Sequence, residues 1–363
     1  MKPNTLLIAG ATGIVGHAAI EHFSALPDWN VVTLSRRAPP AREGVRHLSA
    51  DLTDAAACQQ AVALAPDITH VLYAALYEKP QLLAGWTDPE QIEVNRSMLR
   101  HLLDALALHA PGLRHVALLQ GTKAYGSHVG RVPVPAKERW PRLPHPIFYW
   151  QQEDLLRERQ RHADWSFTIL RPQIVLGYAQ ASPMNVIAAI GAYAAIQQER
   201  GLPLSFPGGG RYVNACSDSR LIARAVEWAG QHPNAANETF NVVNGDVLVW
   251  QDIWPSIATH LGMPVGEDAP LELARDMPRH EDVWSRIVQR HGLQPTTLAG
   301  LVGSSWQFAD RNLAYGQATP DDRIVSPIKL RQAGFADCID TEDAVLYWLD
   351  RMRKARLLPP GPA

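Results

Sequence analysis

Short apolar runs alternate with segments of helical spacing along the first half of the chain. Residues 5–9 (Thr-Leu-Leu-Ile-Ala) are almost wholly apolar and end at a glycine. That is how a strand buried on both faces reads. Residues 17–26 then have helical spacing, and 30–34 and 45–49 are a second and third strand. A helix over 55–65, a strand over 70–75, a long helix over 90–110 and a strand over 115–119 follow. A helix over 153–161 and a sixth strand over 167–170, ending in Arg171-Pro172, complete the alternation. Such alternation predicts an α/β fold with a doubly wound parallel sheet.

The pattern changes after about residue 178. Helical segments over 185–198, 218–230, 251–261 and 281–290 are separated by Pro/Gly loops. Two parts are expected: 1–178 as a dinucleotide-binding domain, and 179–363 as a smaller, mostly helical substrate lobe, with later segments free to return to the sheet. Trp250, Trp254, Trp284 and Trp306 fall in this lobe, where they serve either as core or as a hydrophobic pocket. The longest apolar stretch, 186–196, is too short to span a bilayer. The tail ending Pro359-Pro360-Gly361-Pro362 reads as frayed.

Composition narrows the function. Apolar residues make up 46% of the 363 positions and charged residues 19%, which excludes general disorder. Lys plus Arg number 34 against 36 Asp plus Glu, so nothing in the charge favours nucleic acid or an anionic membrane. Cys58, Cys216 and Cys338 are odd in number and far apart. That fits a reducing compartment, and the cytoplasm is expected. The fourteen His show no ligand spacing, so His280-Glu281-Asp282 reads as a polar helix start and no metal is expected. The apolar run behind Met1-Lys2 is followed by spaced glycines, which a signal peptide does not need.

Those glycines carry chemistry. Gly10-Ala-Thr12-Gly13-Ile14-Val15-Gly16 follows the first strand and opens the first helix. The spacing permits a tight turn, close approach of a pyrophosphate and close helix–strand packing, the Rossmann-like arrangement. The phosphates then meet free N–H groups at a helix N-terminus. At the end of the second strand an NAD site usually places Asp or Glu; here stand Ser35-Arg36-Arg37. Two guanidiniums suit a 2′-phosphate, so NADPH/NADP+ is the expected cofactor. Asp51 and Leu52, after the third strand, should border the adenine. Ala74, Ala75 and Leu76, after the fourth, should lie near the ribose and nicotinamide.

Short-chain dehydrogenases normally carry Tyr-x-x-x-Lys on the helix after the fifth strand. No Tyr here has a Lys four residues on, and Tyr149 has Glu153 in that place. That disfavours a sugar-nucleotide epimerase or ordinary alcohol dehydrogenase. Lys123, one of only six lysines, stands instead at the end of the fifth strand, where such sheets bind ligands. Asn95 lies on the long helix before the fifth strand; in related short-chain folds an Asn there ties down backbone and water, and a polar helix face is the alternative.

Together these pieces resemble the progesterone 5β-reductase and iridoid synthase-like (PRISE) group of atypical extended short-chain reductases. The resemblance lies in Thr12 to Gly16, Ser35-Arg36-Arg37, Gly121-Thr-Lys123-Ala-Tyr125 and Phe148-Tyr149-Trp-Gln-Gln-Glu153-Asp154. It continues in Arg171-Pro172 with Gly177, Ser182-Pro183-Met184-Asn185, Phe206-Pro207-Gly208 and Phe240-Asn241-Val-Val-Asn244-Gly245-Asp246. It implies NADPH-dependent reduction of the C=C bond of a small hydrophobic α,β-unsaturated carbonyl compound, with Lys123 and Tyr149 catalytic. Tyr149 would donate a hydrogen bond to the developing enolate oxygen. Lys123 would lower the Tyr pKa and hold the nicotinamide ribose. Val175, Ser182, Pro183 and Met184 would cover nicotinamide and phosphates. Tyr125 and Trp150 are candidate substrate-wall residues. Ala124 and Trp150 depart from the His and Tyr usual in plant members, which bears on the substrate more than on the reaction. A carbonyl reductase or epimerase of the extended class, and a non-catalytic NADP-binding sensor, remain open. Helices 90–110 and 153–161 would suit a homodimer, and a monomer suits them equally.

Overall fold

In the computed structural model, which describes residues 4–294 and 296–361, the alternation becomes a seven-stranded, wholly parallel sheet. Met1-Lys2 and Pro362, which figure in the readings of the two ends, lie outside the described residues. The strands are β1 (Asn4–Ala9), β2 (Trp29–Ser35), β3 (Val45–Ser49), β4 (His70–Tyr73), β5 (His115–Leu119) and β6 (Ser166–Pro172). A two-stranded ladder of β7 (Val175–Leu176) and β8 (Ser217–Asp218) stands apart, and β9 (Glu238–Val242) completes the main sheet. The order is β3-β2-β1-β4-β5-β6-β9, so the chain reverses direction across the sheet between β1 and β4. That switch point is where ligands bind in open parallel sheets.

The seventh strand comes from beyond residue 178, where later segments are free to return to the sheet, though the sequence pattern assigns no strand to 238–242. Its apolar run is broken by Asn241, which hides it in the sequence. The fold satisfies that buried amide: Nδ2 donates to the carbonyls of Ala136 (3.2 Å) and Ser326 (3.1 Å), and Oδ1 accepts from the Tyr125 hydroxyl (2.7 Å). A buried polar group so paired costs little.

On one face of the sheet lie α1 (Ile14–Phe23) and α7 (Ser219–Gln231). On the other lie α2 (Ala55–Ala63), α4 (Pro89–His109) and α5 (Phe148–Gln160). A one-turn helix, α3 (Leu82–Gly85), precedes α4. Several ends are chemically marked. The Asp54 carboxylate accepts from the amides of Ala56 and Ala57 to start α2, and Asp88 accepts from Gln91 to start α4. Helix α5 begins five residues before the expected 153, which puts Tyr149 in its first turn.

The lobe is built on α6 (Val186–Glu199), in which every residue from Val186 to Gln197 is buried. A helix apolar all round belongs in a core. Around it pack α8 (Trp250–His260), α9 (Leu273–Asp276), α10 (Glu281–His291), α11 (Leu298–Val302), α12 (Ser305–Asn312) and α14 (Thr341–Lys354). Helix α13 (Ile328–Ala333) instead supports β9. Trp250, Trp254, Trp284 and Trp306 are all buried in this second core, so they are packing rather than pocket wall. The Glu281 carboxylate accepts from the Leu298 amide (3.1 Å), a local helix-start role. Among the described residues no helix is long and apolar enough to cross a membrane.

Candidate active site

A cleft of about 430 Å³ runs along the carboxyl edge of the sheet, under the lobe. Its floor is the turn between β1 and α1. Gly10 has φ of +88°, and a Cβ there would stand 2.7 Å from the backbone of Ala74 and Ala75. Gly16 lies beneath the turn, where a Cβ would meet the Gly10 carbonyl at 2.3 Å. The first glycine thus lets two strands approach, and the last lets α1 sit directly on β1. Gly13 starts α1 with no side-chain cap. The first amides of the helix are therefore left for a ligand, beside Thr12, Ile14 and Val15 in the cleft lining. This donor set fits the pyrophosphate of a dinucleotide.

The far end of the cleft is lined by Ser35, Arg36, Arg37, Asp51 and Leu52. Ser35 Oγ donates to the Arg37 carbonyl (2.7 Å), shaping the turn, while both guanidiniums stay exposed. Burial opposes ionisation of Asp51, but Thr53 hydrogen bonds and the charge of Arg36 outweigh it and hold the carboxyl below its ordinary value. Ala74, Ala75 and Leu76 line the middle, with Val175, Ser182, Pro183 and Met184 across from them. Between β6 and β7, Ile174 takes φ of +40° and also lines the cleft. A β-branched residue there is strained by about 1–3 kcal/mol.

At the inner end Lys123 and Tyr149 both line the cleft, and both are otherwise buried. Lys123 sits in a single turn of 3-10 helix after β5. Its Nζ lies 4.1 Å from the centre of the Trp86 ring, 3.9 Å from Met184 Sδ and 3.9 Å from Glu78 Oε1. His145 Nε2 lies 3.0 Å from the Lys123 carbonyl and fixes the backbone there. Burial lowers the ammonium to about 8; Glu78 pulls it back up and Arg311 adds to the fall. Burial likewise raises the Glu78 carboxyl, against the pull of Lys123, Gln91 and Trp86.

Tyr149 behaves differently from the expectation that Lys123 lowers its pKa. Burial, then the Glu78 carboxylate, hold the phenol well above its ordinary value, and Arg171 opposes them. The Lys123 ammonium stands 5.9 Å from the phenol ring centre, with Glu78 offsetting its charge. Tyr149 is therefore a neutral hydrogen-bond donor across the physiological range.

Glu78, missed in the sequence, is placed by α4. Asn95 brackets Tyr77, accepting from its amide (3.0 Å) and donating to its carbonyl (2.8 Å). That is the tying role the sequence suggested. Gln91 accepts from the Lys79 amide (2.9 Å) and donates to Glu78 Oε2 (2.7 Å). Lys79 itself goes to Asp88 (2.8 Å) and Glu90 (2.7 Å), which leaves Glu78 to Lys123. The adjacent Glu-Lys pair looks like a solvated surface dipeptide, and only the fold separates the two.

Glu153, at the position a lysine holds in ordinary relatives, is bound by three arginines. Arg171 Nη2 (3.2 Å), Arg142 Nη2 (3.0 Å) and Arg157 Nη2 (3.0 Å) reach its carboxylate. Burial opposes ionisation, but the Arg142 hydrogen bond and the three positive charges hold its pKa below the ordinary value. Arg171 also donates to Gln120 Oε1 (2.9 Å), whose Nε2 donates to the Tyr149 carbonyl (3.0 Å). The network thus positions the tyrosine backbone. Neither Tyr125 nor Trp150 lines this cleft, and Tyr125 lines instead an adjoining cavity that shares Thr122, Ser127 and Arg323 with it. Tyr125 turns to Asn241, and Trp150 lies under Arg142, 4.8 Å from its ring centre. The rest of the inner lining is Trp86, Ser127, Phe308, Arg311 and Arg323, none of them singled out from sequence.

The PRISE-like Rossmann-fold domain family matches residues 49–359. An (S)-8-oxocitronellyl enol synthase of Nepeta racemosa is 32% identical, the match covering 97% of this chain and 91% of the relative. A 3-oxo-Δ4,5-steroid 5β-reductase of Arabidopsis thaliana is also 32% identical, over 97% of this chain and 92% of its own length. Among solved structures, a UDP-glucose 4-epimerase of Thermus thermophilus in complex with NAD superposes with a TM-score of 0.66. It is 20% identical over 97% of this chain and 99% of the epimerase, a likeness of fold alone.

Proposed function

The chain belongs to the PRISE-like Rossmann-fold family and is an NAD(P)-dependent oxidoreductase, and from that premise we propose that it reduces the C=C bond of small α,β-unsaturated carbonyl compounds with NADPH. The observation that carries this reading is the meeting of Lys123 and Tyr149 in one cleft while Glu153 is sequestered by arginines. No lysine one turn along α5 is available to run a phenol-to-phenolate relay, so the tyrosine works as a fixed donor.

In this reading the α1 N-terminus holds the pyrophosphate, and Arg36 and Arg37 hold the 2′-phosphate. When bound, the reduced nicotinamide supplies a hydride to the β-carbon and a solvent proton completes the saturated bond at the α-carbon. Tyr149 donates to the carbonyl oxygen, where negative charge grows as the β-carbon is reduced. One such preorganised donor contributes ~3–4 kcal/mol. Lys123 is mostly protonated at neutral pH and adds positive potential beside that oxygen, tempered by Glu78. The relatives that are named an enol synthase and a steroid 5β-reductase both support a C=C substrate.

The test is NADPH oxidation with 2-cyclohexen-1-one, a linear enal and progesterone, products identified by mass and NMR. A saturated carbonyl product is expected. Alcohol formed with the C=C bond intact would move the chain to carbonyl reduction.

A further inference from the structure

We propose that Arg311, backed by Arg323, makes this a site for unsaturated carbonyl compounds that also carry an anionic group, a carboxylate or a phosphate ester. This rests on the enone-reductase reading above and names the class of substrate within it.

Arg311 lies on α12, and with Phe308 and Asn312 it lines the inner end of the cleft. Its Nη2 donates to the Ser127 carbonyl, and its Cζ stands 5.6 Å from the centre of the Trp86 ring. That is the same ring on which Lys123 rests at 4.1 Å. Arg323 follows on the same wall, held against the Tyr212 ring at 5.0 Å and donating to the Arg311 carbonyl (3.4 Å). The guanidinium of Arg311 is therefore held in place by a carbonyl and an aromatic face, neither of which neutralises it.

Among the described residues no carboxylate forms an ion pair with the partly buried Arg311 or Arg323, whereas the buried arginine at this sheet edge, Arg171, has Glu153. Burial, then Arg323, pull the Arg311 guanidinium down to about 10, so it stays charged at neutral pH. Three cations, Lys123, Arg311 and Arg323, line the inner cleft; Glu78 stands 3.9 Å from Lys123, and Asp321 and Asp322 line the adjoining cavity that Arg323 shares. A charge drawn partly out of water, as Arg311 is, gains from an opposite charge beside it. A guanidinium fixed by a carbonyl but given no carboxylate, beside the reacting end of a cleft, suits a ligand oxyanion. The phosphates of the dinucleotide have their own donors at the glycine turn and at Arg36 and Arg37.

The experiment compares a cyclohexenone bearing a carboxymethyl side chain with its methyl ester and with a corresponding phosphate monoester, at saturating NADPH. The wild-type kcat/KM is expected to favour an anionic form over the ester by about tenfold or more. The better of the two anions identifies the group. In Arg311→Gln the anion-to-ester ratio should fall towards one, chiefly through KM, while Arg311→Lys should keep part of it and controls for folding. A wild-type ratio near one overturns the proposal and leaves C=C reduction standing. Weakened NADPH binding in Arg311→Gln with an unchanged ratio overturns it by assigning Arg311 to the cofactor. If the wild type reduces none of the three, the enone reading fails, and calorimetric binding of the acid still decides the anion site. Binding lost in Arg311→Gln supports it, and equal binding overturns it.

Discussion

Glu78 Oε1 stands 3.9 Å from Lys123 Nζ, and both side chains are almost closed to solvent. Burial drives each towards its neutral form, and each supports the charge of the other. Glu78→Gln should remove the group that keeps Lys123 protonated. The Lys123 pKa should then fall further below about 8, by about one unit or more. The alkaline limb of kcat/KM for the enone should move to lower pH by that amount. A limb that does not move would show that Lys123 protonation does not govern the reaction.

Tyr149→Phe should lower kcat by about 10²-fold or more while NADPH binding is nearly kept. The hydroxyl is asked to act only as charge develops, so the loss belongs in turnover. Stopped-flow turnover and fluorescence titration separate the two, and equal turnover would remove Tyr149 from the chemistry.

Arg36→Ala should cut the NADPH-to-NADH ratio of kcat/KM by about 10- to 100-fold, the worth of a charge-assisted hydrogen bond. NADH should be little affected, because Arg36 is exposed and faces Asp51 rather than the pyrophosphate turn. Equal losses for both cofactors would refute the 2′-phosphate assignment.

Glu153→Gln should destabilise the fold by about 3 kcal/mol at neutral pH, because the buried Arg171 loses its carboxylate, whereas the half-exposed Arg142 keeps Asp154 and Arg157 meets solvent. The folded pKa of Glu153 is depressed below its unfolded value of about 4.3. Its contribution is therefore present above that pH and is lost as pH falls through the folded value. Urea unfolding of both proteins should give a difference that shrinks in acid; a constant difference would mean that packing, not charge, was removed.

The groups legible in the sequence are those whose place follows from one strand end. Gly10 to Gly16, Ser35 to Arg37 and Lys123 stand at or just past strand ends of a parallel sheet, and the topology sends all such ends to one edge, to which the first turn of α5 brings Tyr149. Tyr125 and Trp150 were misplaced by rotation. Trp150 follows Tyr149 by about 100° around α5, and Tyr125 follows Lys123 by about two-thirds of a turn of 3-10 helix. Neither residue can share the direction of its neighbour.

The residues that give the cleft its charge had no local signal. Glu78 was masked by Lys79 beside it, and its role depends on Gln91 on α4 and the Asp88 cap before it dividing that pair. Arg311 belongs to a short lobe helix and meets Trp86 and Ser127 only because α12 lies over α3. The sequence alone therefore determined the parallel sheet and the phosphate turn, since each is set by short-range spacing and strand alternation, and it offered Lys123 and Tyr149 for catalysis through motifs that resemble those of a known family. Tertiary structure alone decided which charges surround them, because ion pairing and burial depend on side chains brought together from distant parts of the chain.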